Sequence, residues 1–308
     1  MSETVRATAE KIRKLEVQGA RNVAIAAIKA LQTLSEQTKA KNKTAFICEL
    51  KEAEKMLFAS RETEPLMRNA VRWIITQAQN SSTEKVDDLS PMVSSNVSLF
   101  LQNLEASRER TAEIGAKRIR DGMLVFTHCH SSTVTRLLAK AKADGKNFSV
   151  ICTETRPAFQ GRITAKEMVD LDIQTMFIVD SAARSYMGDV DLVMVGADAI
   201  TSEGNVVNKI GSSSIAVLAN EARKPFYVVS ELLKFDPETL NGQYEGIEQR
   251  NPIEVWSEAP EKLYVRNPAF DVTPSRYIHG IICEEGVIAP QSIVETVNRS
   301  YPWVLKPI

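Results

Sequence analysis

Five short apolar runs in the chain each lead to a residue that could take part in catalysis or bind an anion. The reactive residues that follow these runs are Cys129, Glu154, Asp180, Asp198 and Lys234. In an open parallel α/β sheet, ligands bind beyond the carboxyl ends of the strands, so these side chains gather at one edge if the runs are parallel strands. A thiol, carboxylates and cations at one edge form a site for a small anionic substrate, an arrangement typical of enzymes.

Cys129 follows the first run and precedes a helix whose N-cap is predicted to be Ser131 or Ser132. Backbone N–H groups at a helix N-terminus favour a thiolate, so the thiol is expected to act as a base or nucleophile near neutral pH. The alternative is a small buried apolar residue, because free cysteines are often just that. His128 and His130 alternate with Cys129 along an extended segment, and their side chains are predicted to point away from the thiol. This spacing does not predict a metal site.

Two aspartates follow other apolar runs. Asp198 comes directly after 192–197, where partial burial would raise the pKa of its carboxyl and suit it to act as a general acid. A turn or N-cap role is the alternative, since Asp is common in turns that follow strands. Asp180 precedes a helical segment and is predicted to be either its N-cap or a ligand-binding residue.

A polar segment, 208–214, is predicted to be a loop that leads into a helix over 215–223. Its Lys209 supplies a cation, and Gly211 with the serines after it supplies unhindered amides and hydroxyls, which are the features of a phosphate cradle. A plain N-cap loop is the alternative. Gly19 interrupts a helical pattern, which would allow close backbone approach to a ligand or mark a simple helix break. Further candidate cations are Arg61, Arg156 and Lys234.

Composition excludes several function classes. The 308 residues carry 38 basic and 39 acidic side chains, and this balance argues against nucleic-acid binding. The four cysteines are widely spaced without a Cys-x-x-Cys pair, so neither a zinc site nor a disulfide framework is expected, and a reducing cytoplasm is the natural compartment. No segment has the pattern of a signal peptide or of a membrane span. The first strand is not followed by Gly-x-Gly-x-x-Gly, and there is no P-loop, which disfavours a nicotinamide or nucleoside triphosphate cofactor.

The elements that must position the reactive residues differ between the two parts of the chain. Residues 1–120 are predicted to form a helical domain, with a loop over 80–88. Residues 121–308 alternate strand-like runs with helical segments, which is typical of βαβ units. The predicted fold class is α/β, an N-terminal helical domain followed by a Rossmann-like parallel-sheet domain. The predicted helices are 22–34, 44–60, 65–79 and 91–120, and the strand-like runs are 123–128, 148–153, 175–179, 192–197, 225–230, 267–274 and 278–283.

An ordered set of short motifs spans nearly the whole chain. Together these motifs resemble the superfamily of translation initiation factor 2B regulatory subunits (alpha, beta and delta) and their sugar-phosphate isomerase relatives. Those relatives are methylthioribose-1-phosphate isomerase and archaeal ribose-1,5-bisphosphate isomerase. The motifs are Gln18-Gly19-Ala20, Thr127-His128-Cys129, Thr153 to Pro157 with Gln160-Gly161, Gly196-Ala197-Asp198, Asn208 to Gly211, Pro225 to Val229, Lys234-Phe235 and Asp271 to Pro274.

The resemblance implies an aldose–ketose isomerase, because only the isomerases keep both the cysteine and the aspartate. It implies that Cys129 removes the proton from sugar C2 and that Asp198 protonates the ring oxygen. It also implies a small phosphorylated sugar as substrate, no metal or organic cofactor, and a homodimer or homohexamer. The residues that fall at phosphate- and sugar-binding positions are Gly19, Ala20, Arg21, Arg61, Ser131, Ser132, Thr133, Asn208, Lys209 and Lys234.

Two departures leave the substrate open. Gln18 and Ser132 stand where the ribose-1,5-bisphosphate isomerases carry an arginine and a lysine, although Arg21 would compensate for one lost cation. Ribose 1,5-bisphosphate is the leading substrate, and the alternative is a related ribose 1-phosphate that carries one phosphate or differs in its sugar. The alternative function is that of a non-catalytic regulatory subunit that binds a translation initiation factor, or a sugar phosphate or nucleotide.

Overall fold

The computed structural model describes residues 3–61, 63–243 and 246–306. Its internal contacts divide the chain into a helical unit, which extends to Ala106 and includes the residues from Tyr301 onward, and an α/β unit over Ser107–Ser300. The boundary between the two units therefore falls inside the helix Val86–Ala116. The division into domains 1–120 and 121–308 stays a prediction. In the described part of the chain, no helix combines the length and the apolar character needed to cross a membrane.

The helical unit is built from amphipathic helices whose apolar faces are buried. In α2, the buried residues include Val23, Ala27 and Leu31, at the spacing of one helix face. The predicted helix at 65–79 is confirmed, and Pro65 occupies its first turn, where a missing N–H costs nothing. The helices are α1 (Glu3–Arg13), α2 (Ala20–Glu36), α3 (Lys43–Phe58), α4 (Pro65–Gln79) and α5 (Val86–Ala116).

The predicted loop over 80–88 is too long. Helix α5 begins at Val86, with Asp87 and Asp88 in its first turn, where carboxylates interact favourably with the positive end of the helix dipole. Pro91, predicted to start the helix, lies inside it. The proline removes only one helical hydrogen bond near an end that already has unpaired N–H groups, so the helix tolerates it.

The α/β unit holds a seven-stranded sheet and a separate three-stranded sheet. The strands are β1 (Leu124–Thr127), β2 (Ser149–Thr153), β3 (Gln174–Ile178), β4 (Leu192–Val195), β5 (Ala199–Ile200), β6 (Val206–Lys209), β7 (Phe226–Val229), β8 (Phe270–Thr273), β9 (Gly280–Cys283) and β10 (Gly286–Ile288). The helices are α6 (Ser132–Ala143), α7 (Gly161–Asp170), α8 (Ala183–Tyr186), α9 (Ser212–Glu221) and α10 (Ile293–Ser300).

The order of the large sheet is β10-β9-β7-β4-β1-β2-β3, with only β10 antiparallel to its neighbour. From β1 the chain proceeds through β2 and β3 on one side, then returns to place β4 on the other. The carboxyl ends of β1 and β4 therefore border the point where the strand order reverses, which is where open α/β sheets bind ligands. Strands β1, β2 and β4 are buried on both faces, which explains their nearly continuous apolar sequences.

The small antiparallel sheet has the order β5-β6-β8 and was only partly predicted. The run at 267–274 contains β8, but β5 is two residues long and β6 is four, too short to stand out in the sequence. Asn208 and Lys209, predicted to lie in a loop, are the last residues of β6 and pair with Asp271 and Phe270. The prediction was wrong because their strand geometry depends on partners more than 60 residues away in the chain.

Candidate active site

Cys129 lies just beyond the carboxyl end of β1, in a backbone conformation that few non-glycine residues adopt, with φ of 66°. Its backbone is held on both sides. The N–H donates to Thr155 Oγ1 at 2.9 Å, and the carbonyl accepts from Thr164 Oγ1 at 2.9 Å. The loop after β2 and the first turns of α7 therefore fix the position of the thiol.

The thiol itself is buried and only 7% of the residue is exposed. Its Sγ donates to Gln160 Oε1 at 3.7 Å. Burial raises the pKa of the Cys129 thiol to about 11, although the Lys209 ammonium and the backbone N–H of His130 lower it. The expectation of a thiolate favoured near neutral pH is therefore wrong for this structure, because the loss of water outweighs the helix N-terminus. Gln160 was noted only as part of a motif, and no local signal in the sequence pointed to its contact with the thiol.

The two histidines beside Cys129 make their hydrogen bonds with other residues. His128 Nε2 lies 2.8 Å from the carbonyl of Ile210, so this nitrogen carries the proton and donates it. His128 Nδ1 then accepts from Thr153 Oγ1 at 2.6 Å, and burial lowers the pKa of the ring, which stabilises this neutral form. His130 Nδ1 lies 3.2 Å from Thr164 Oγ1. Both rings join neighbouring elements to the loop that carries the thiol.

Asp198 lies just beyond β4 and is partly buried. Its N–H donates to the carbonyl of Val207 at 2.9 Å, which fixes the carboxylate at the junction of the two sheets. Its charge raises the pKa of the Cys129 thiol, so the two groups share one electrostatic environment. Gly196 permits this packing: a Cβ there would lie 2.6 Å from Ser131 Oγ, at the N-terminus of α6. Ser131 is the N-cap of α6 and accepts from the N–H of Val134 at 3.4 Å.

Two lysines of the α/β unit are buried rather than on the surface. Lys209 is 6% exposed, with Nζ 5.5 Å from the centre of the Phe270 ring. Lys234 is also 6% exposed, and its ammonium donates to the carbonyl of Ala197 at 2.8 Å. Lys234 Nζ also lies 3.6 Å from Glu231 Oε2, while Glu231 Oε1 accepts from Thr133 Oγ1 at 3.3 Å. Because Ala197 precedes Asp198, Lys234 helps to set the backbone that carries the carboxylate.

The predicted phosphate cradle over 208–214 differs from expectation. The backbone N–H groups of Gly211 and Ser213 donate to the Asp271 carboxylate at 2.7 and 3.1 Å. The Ser212 hydroxyl donates to the carbonyl of Lys209 at 2.7 Å and accepts from Asn208 Nδ2 at 2.8 Å. These amides and this hydroxyl already form hydrogen bonds inside the protein and are not available to a phosphate. The group in this segment that suits an anion is therefore the Lys209 ammonium.

The structure contradicts the N-cap role predicted for Asp180, and the alternative ligand-binding role stays a prediction. It begins a short 3₁₀ turn whose N-cap is Val179, so it is not the cap. Its carboxylate accepts from the backbone N–H groups of Thr155 and Arg156 at 2.8 and 2.7 Å. Asp180 therefore holds the loop whose Thr155 hydroxyl supports Cys129. Arg156 is exposed and donates from Nη2 to the carbonyl of Val255 at 2.9 Å.

Four of the candidate substrate-binding residues belong to the helical unit: Gly19, Ala20, Arg21 and Arg61. Gly19 is the N-cap of α2 with φ of 82°, and no atom lies within 4 Å of a Cβ placed there. Ala20, the first residue of α2, is buried. Arg21 donates to the carbonyl of Leu104 at 3.0 Å and forms an ion pair with Glu105. This guanidinium stabilises the packing of α2 on α5, which weakens the idea that it replaces a lost substrate-binding cation.

Arg61 is also engaged within the helical unit. Its Nε lies 3.2 Å from Glu64 Oε1, and the Arg61 side chain is 9% exposed. Glu64, which directly precedes α4, is fully buried. The ion pair thus holds the Arg61 guanidinium beside the start of α4, where the Glu64 carboxylate offsets its charge.

We use the name strand-end site for Cys129, Asp198, Lys209 and Lys234. A buried thiol and a partly buried carboxylate can transfer protons, and two buried ammonium groups suit an anionic substrate. Ser132 and Thr133, also predicted to bind substrate, form the first turn of α6. Within residues 3–61, 63–243 and 246–306, no group of three or more His, Cys, Asp or Glu side chains could hold a metal ion.

Comparisons with known proteins agree with this architecture. The Initiation factor 2 subunit family matches residues 16–290. The ribose 1,5-bisphosphate isomerase of Thermococcus kodakarensis is 42% identical over 305 residues, which cover 97% of this chain and 95% of that protein. The translation initiation factor eIF-2B of Pyrococcus horikoshii superposes with a TM-score of 0.82 at 29% identity, over 94% of this chain and 98% of that one. The 5-methylthioribose 1-phosphate isomerase of the same organism gives 0.80 at 29% identity, over 96% and 88%.

Proposed function

The chain belongs to the Initiation factor 2 subunit family, and from this membership and the strand-end site we propose that it is a sugar-phosphate aldose–ketose isomerase. The observation that carries the proposal is the pairing of a buried thiol, Cys129, with a carboxylate, Asp198, beyond adjacent parallel strands. The 42% identity to a ribose 1,5-bisphosphate isomerase over nearly the whole chain supports ribose 1,5-bisphosphate as the substrate and ribulose 1,5-bisphosphate as the product.

In the proposed reaction, Asp198 donates a proton to the ring oxygen as the furanose opens, and Cys129 removes the proton from C2. A phosphoester at C1 blocks the free aldehyde, so the ring bond must break with acid assistance while an enediol-like species forms. The product carbonyl forms at C2 when Cys129 returns its proton to C1 and the C2 hydroxyl gives up its proton, which restores the proton that Asp198 donated. A site that excludes water protects the enediol-like species from losing phosphate.

The thiol must lose its proton before it can act as a base. With a pKa of about 11, this loss costs about 5 kcal/mol at pH 7, since each pH unit corresponds to about 1.4 kcal/mol. Lys209 reduces that cost, because its positive charge lowers the pKa of the thiol. The same ammonium would be attracted to a substrate phosphate. Lys209 would therefore both bind the substrate and make the thiol easier to deprotonate.

The test is to incubate purified protein with ribose 1,5-bisphosphate and follow ribulose 1,5-bisphosphate by mass spectrometry. Cys129→Ser and Asp198→Asn should each lower kcat by about 100-fold or more, because each removes one proton-transfer group. Cys48→Ser is the matched control, since Cys48 is an exposed thiol on α3 and should keep full activity. Retained turnover in Cys129→Ser would remove the thiol from the mechanism.

The bisphosphate and its alternatives are separated in the same assay. Ribose 1-phosphate and methylthioribose 1-phosphate would be compared by kcat/KM, because Gln18 and Ser132 remove two cations that the sequence resemblance assigns to a second phosphate. A preference for a substrate with a single phosphate would identify a different member of the isomerase class.

The competing function is that of a non-catalytic subunit in translation initiation. The TM-score of 0.82 to the Pyrococcus horikoshii factor favours it, but the structural match to a methylthioribose-phosphate isomerase is almost as high. If all three sugar phosphates stay unconverted, a pull-down with translation initiation factor 2 becomes the decisive measurement. We further propose a homodimer or homohexamer, and a monomeric mass by light scattering at micromolar concentration would count against it.

A further inference from the structure

Asp271 is a partly buried carboxylate with no part in the reaction proposed above. It lies on β8, in register with Asn208 of β6, and the next pair in that ladder is Phe270 with Lys209. Asp271 therefore lies across the β6–β8 pair from Asn208 and Lys209, which are both candidate substrate-binding residues.

The Asp271 carboxylate uses both oxygens at the N-terminus of α9. Oδ2 accepts from the Gly211 N–H at 2.7 Å, and Oδ1 accepts from the Ser213 N–H at 3.1 Å. A negative charge is favourable there because the first N–H groups of a helix point outward and carry partial positive charge. Burial raises the pKa of Asp271 to about 6 while these two amides lower it, so the carboxylate is ionised at neutral pH and can accept both bonds.

These two bonds fix a segment, 209–211, that contacts the loop carrying the thiol. The carbonyl of Ile210 accepts from His128 Nε2 at 2.8 Å, and a Cβ at Gly211 would lie 3.0 Å from the same nitrogen. His128 immediately precedes Cys129 in the chain. A displacement of the segment would therefore move either the imidazole or its acceptor.

The segment also sets the charge near the thiol. Three charged side chains act on Cys129: Lys209 lowers the pKa of the thiol, while Asp198 and Asp180 raise it. Lys209 directly precedes the Ile210–Gly211 turn that Asp271 holds. We propose that Asp271 is a positioning residue for the isomerase reaction, which holds the 209–211 segment so that Lys209 and His128 keep Cys129 in its reactive geometry. This inference rests on the proposed role of Cys129 as the base.

The test is Asp271→Asn, which keeps the size of the side chain but removes one acceptor. The amide oxygen can take one backbone N–H, whereas the amide NH₂ opposes the other, so the 209–211 segment should shift. The readout is the alkylation rate of Cys129 by iodoacetamide, followed by mass spectrometry of its peptide from about pH 9 to about pH 12.5, a range that includes the pKa of about 11. Asp191→Asn is the matched control, because Asp191 Oδ2 accepts from the Leu124 N–H at 2.7 Å at the opposite end of β1.

The expected result is an upward shift of about half a pH unit in the alkylation midpoint of Asp271→Asn. That shift lowers the thiolate fraction at pH 7 about threefold, so kcat/KM should fall at least threefold. Asp191→Asn should leave both quantities unchanged. Gly211→Ala, which adds a methyl against His128 and leaves the carboxylate intact, should shift the same midpoint if Asp271→Asn does not fold.

An Asp271→Asn protein that is less stable yet keeps the wild-type midpoint would overturn the proposal and leave Asp271 a purely structural helix cap. Equal shifts in Asp271→Asn and Asp191→Asn would overturn it as well. The alkylation readout does not depend on turnover. A wild-type protein with no isomerase activity would therefore refute the proposed function, while the midpoints would separately decide whether Asp271 positions the thiol environment.

Discussion

Gly196→Ala is the most informative single change, because the structure gives the size of the clash it would produce. The added Cβ would lie 2.6 Å from Ser131 Oγ and 2.7 Å from Ser131 Cβ. Non-bonded carbon atoms prefer about 3.5–4.0 Å, so Ser131 or the end of β4 must move by about 1 Å. Ser131 caps α6 and β4 leads to Asp198, so either movement disturbs the strand-end site.

Two energy terms set the expected loss of stability. Overpacking a tight contact costs about 1–3 kcal/mol, and loss of a serine N-cap costs about 0.5–2 kcal/mol. A combined loss of about 2–4 kcal/mol would lower Tm by roughly 10 °C, using about 2–4 °C per kcal/mol for a unit of this size. Activity should fall further than stability, because a shift of about 1 Å in a catalytic group can cost about 100-fold in rate.

The assay is thermal unfolding by circular dichroism together with kcat/KM for ribose 1,5-bisphosphate. Gly188→Ala is the control, since no atom lies within 4 Å of a Cβ built at Gly188. The double variant Ser131→Gly with Gly196→Ala removes the clashing side chain and should recover most of the lost Tm, because glycine is tolerated at an N-cap at a cost of only a few tenths of a kcal/mol. Equal Tm values for Gly196→Ala and Gly188→Ala, or no recovery in the double variant, would refute the reasoning.

Three further predictions concern charge and pH. Lys209→Met should raise the pKa of the Cys129 thiol, because the ammonium lowers it, and alkylation of the Cys129 peptide against pH measures the shift. Lys234→Met should lower kcat by about tenfold or more, since it frees the Ala197 carbonyl beside Asp198; an unchanged kcat would contradict this. The folded protein binds a proton at Asp271 more tightly than the unfolded chain, with a pKa of about 6 against 3.8. Protonation of Asp271 therefore contributes at most about 3 kcal/mol to the free energy of unfolding. This contribution is fully present below pH 3.8 and is lost as the pH rises through 6. Urea unfolding of wild type between pH 4 and 6 should show this decline, and Asp271→Asn should not.

The large sheet could be predicted because its evidence is local. Strands buried on both faces, such as β1, β2 and β4, are short apolar runs bounded by polar residues. Each can be identified from its own residues, without knowledge of the strands that pair with it. The position of Cys129 and Asp198 beyond two of these strands follows from the general rule for parallel sheets. The N-cap at Ser131 follows from the same local reading.

The site contacts that sequence reasoning missed depend on partners that are distant in the chain. Asp271 and Gly211 are 60 residues apart, and Cys129 and Gln160 are 31 apart, so no short window contains either contact. The pKa of Cys129 was predicted in the wrong direction for a related reason. A helix N-terminus can be read from the sequence, whereas the depth at which the thiol is buried depends on the packing of the complete unit.

The 60-residue separation between Asp271 and the α9 N-terminus also bears on the order of events during synthesis. At about 5–20 residues per second, β8 leaves the ribosome about 3–12 s after α9. During that interval the Gly211 and Ser213 amides lack their carboxylate, and β6 lacks one of its two neighbouring strands. The strand-end site thus reaches its final form only after about nine-tenths of the chain has been made. A nascent or truncated chain that ends before β8 would contain Cys129 and Asp198 but would lack Asp271, which holds the segment that includes Lys209.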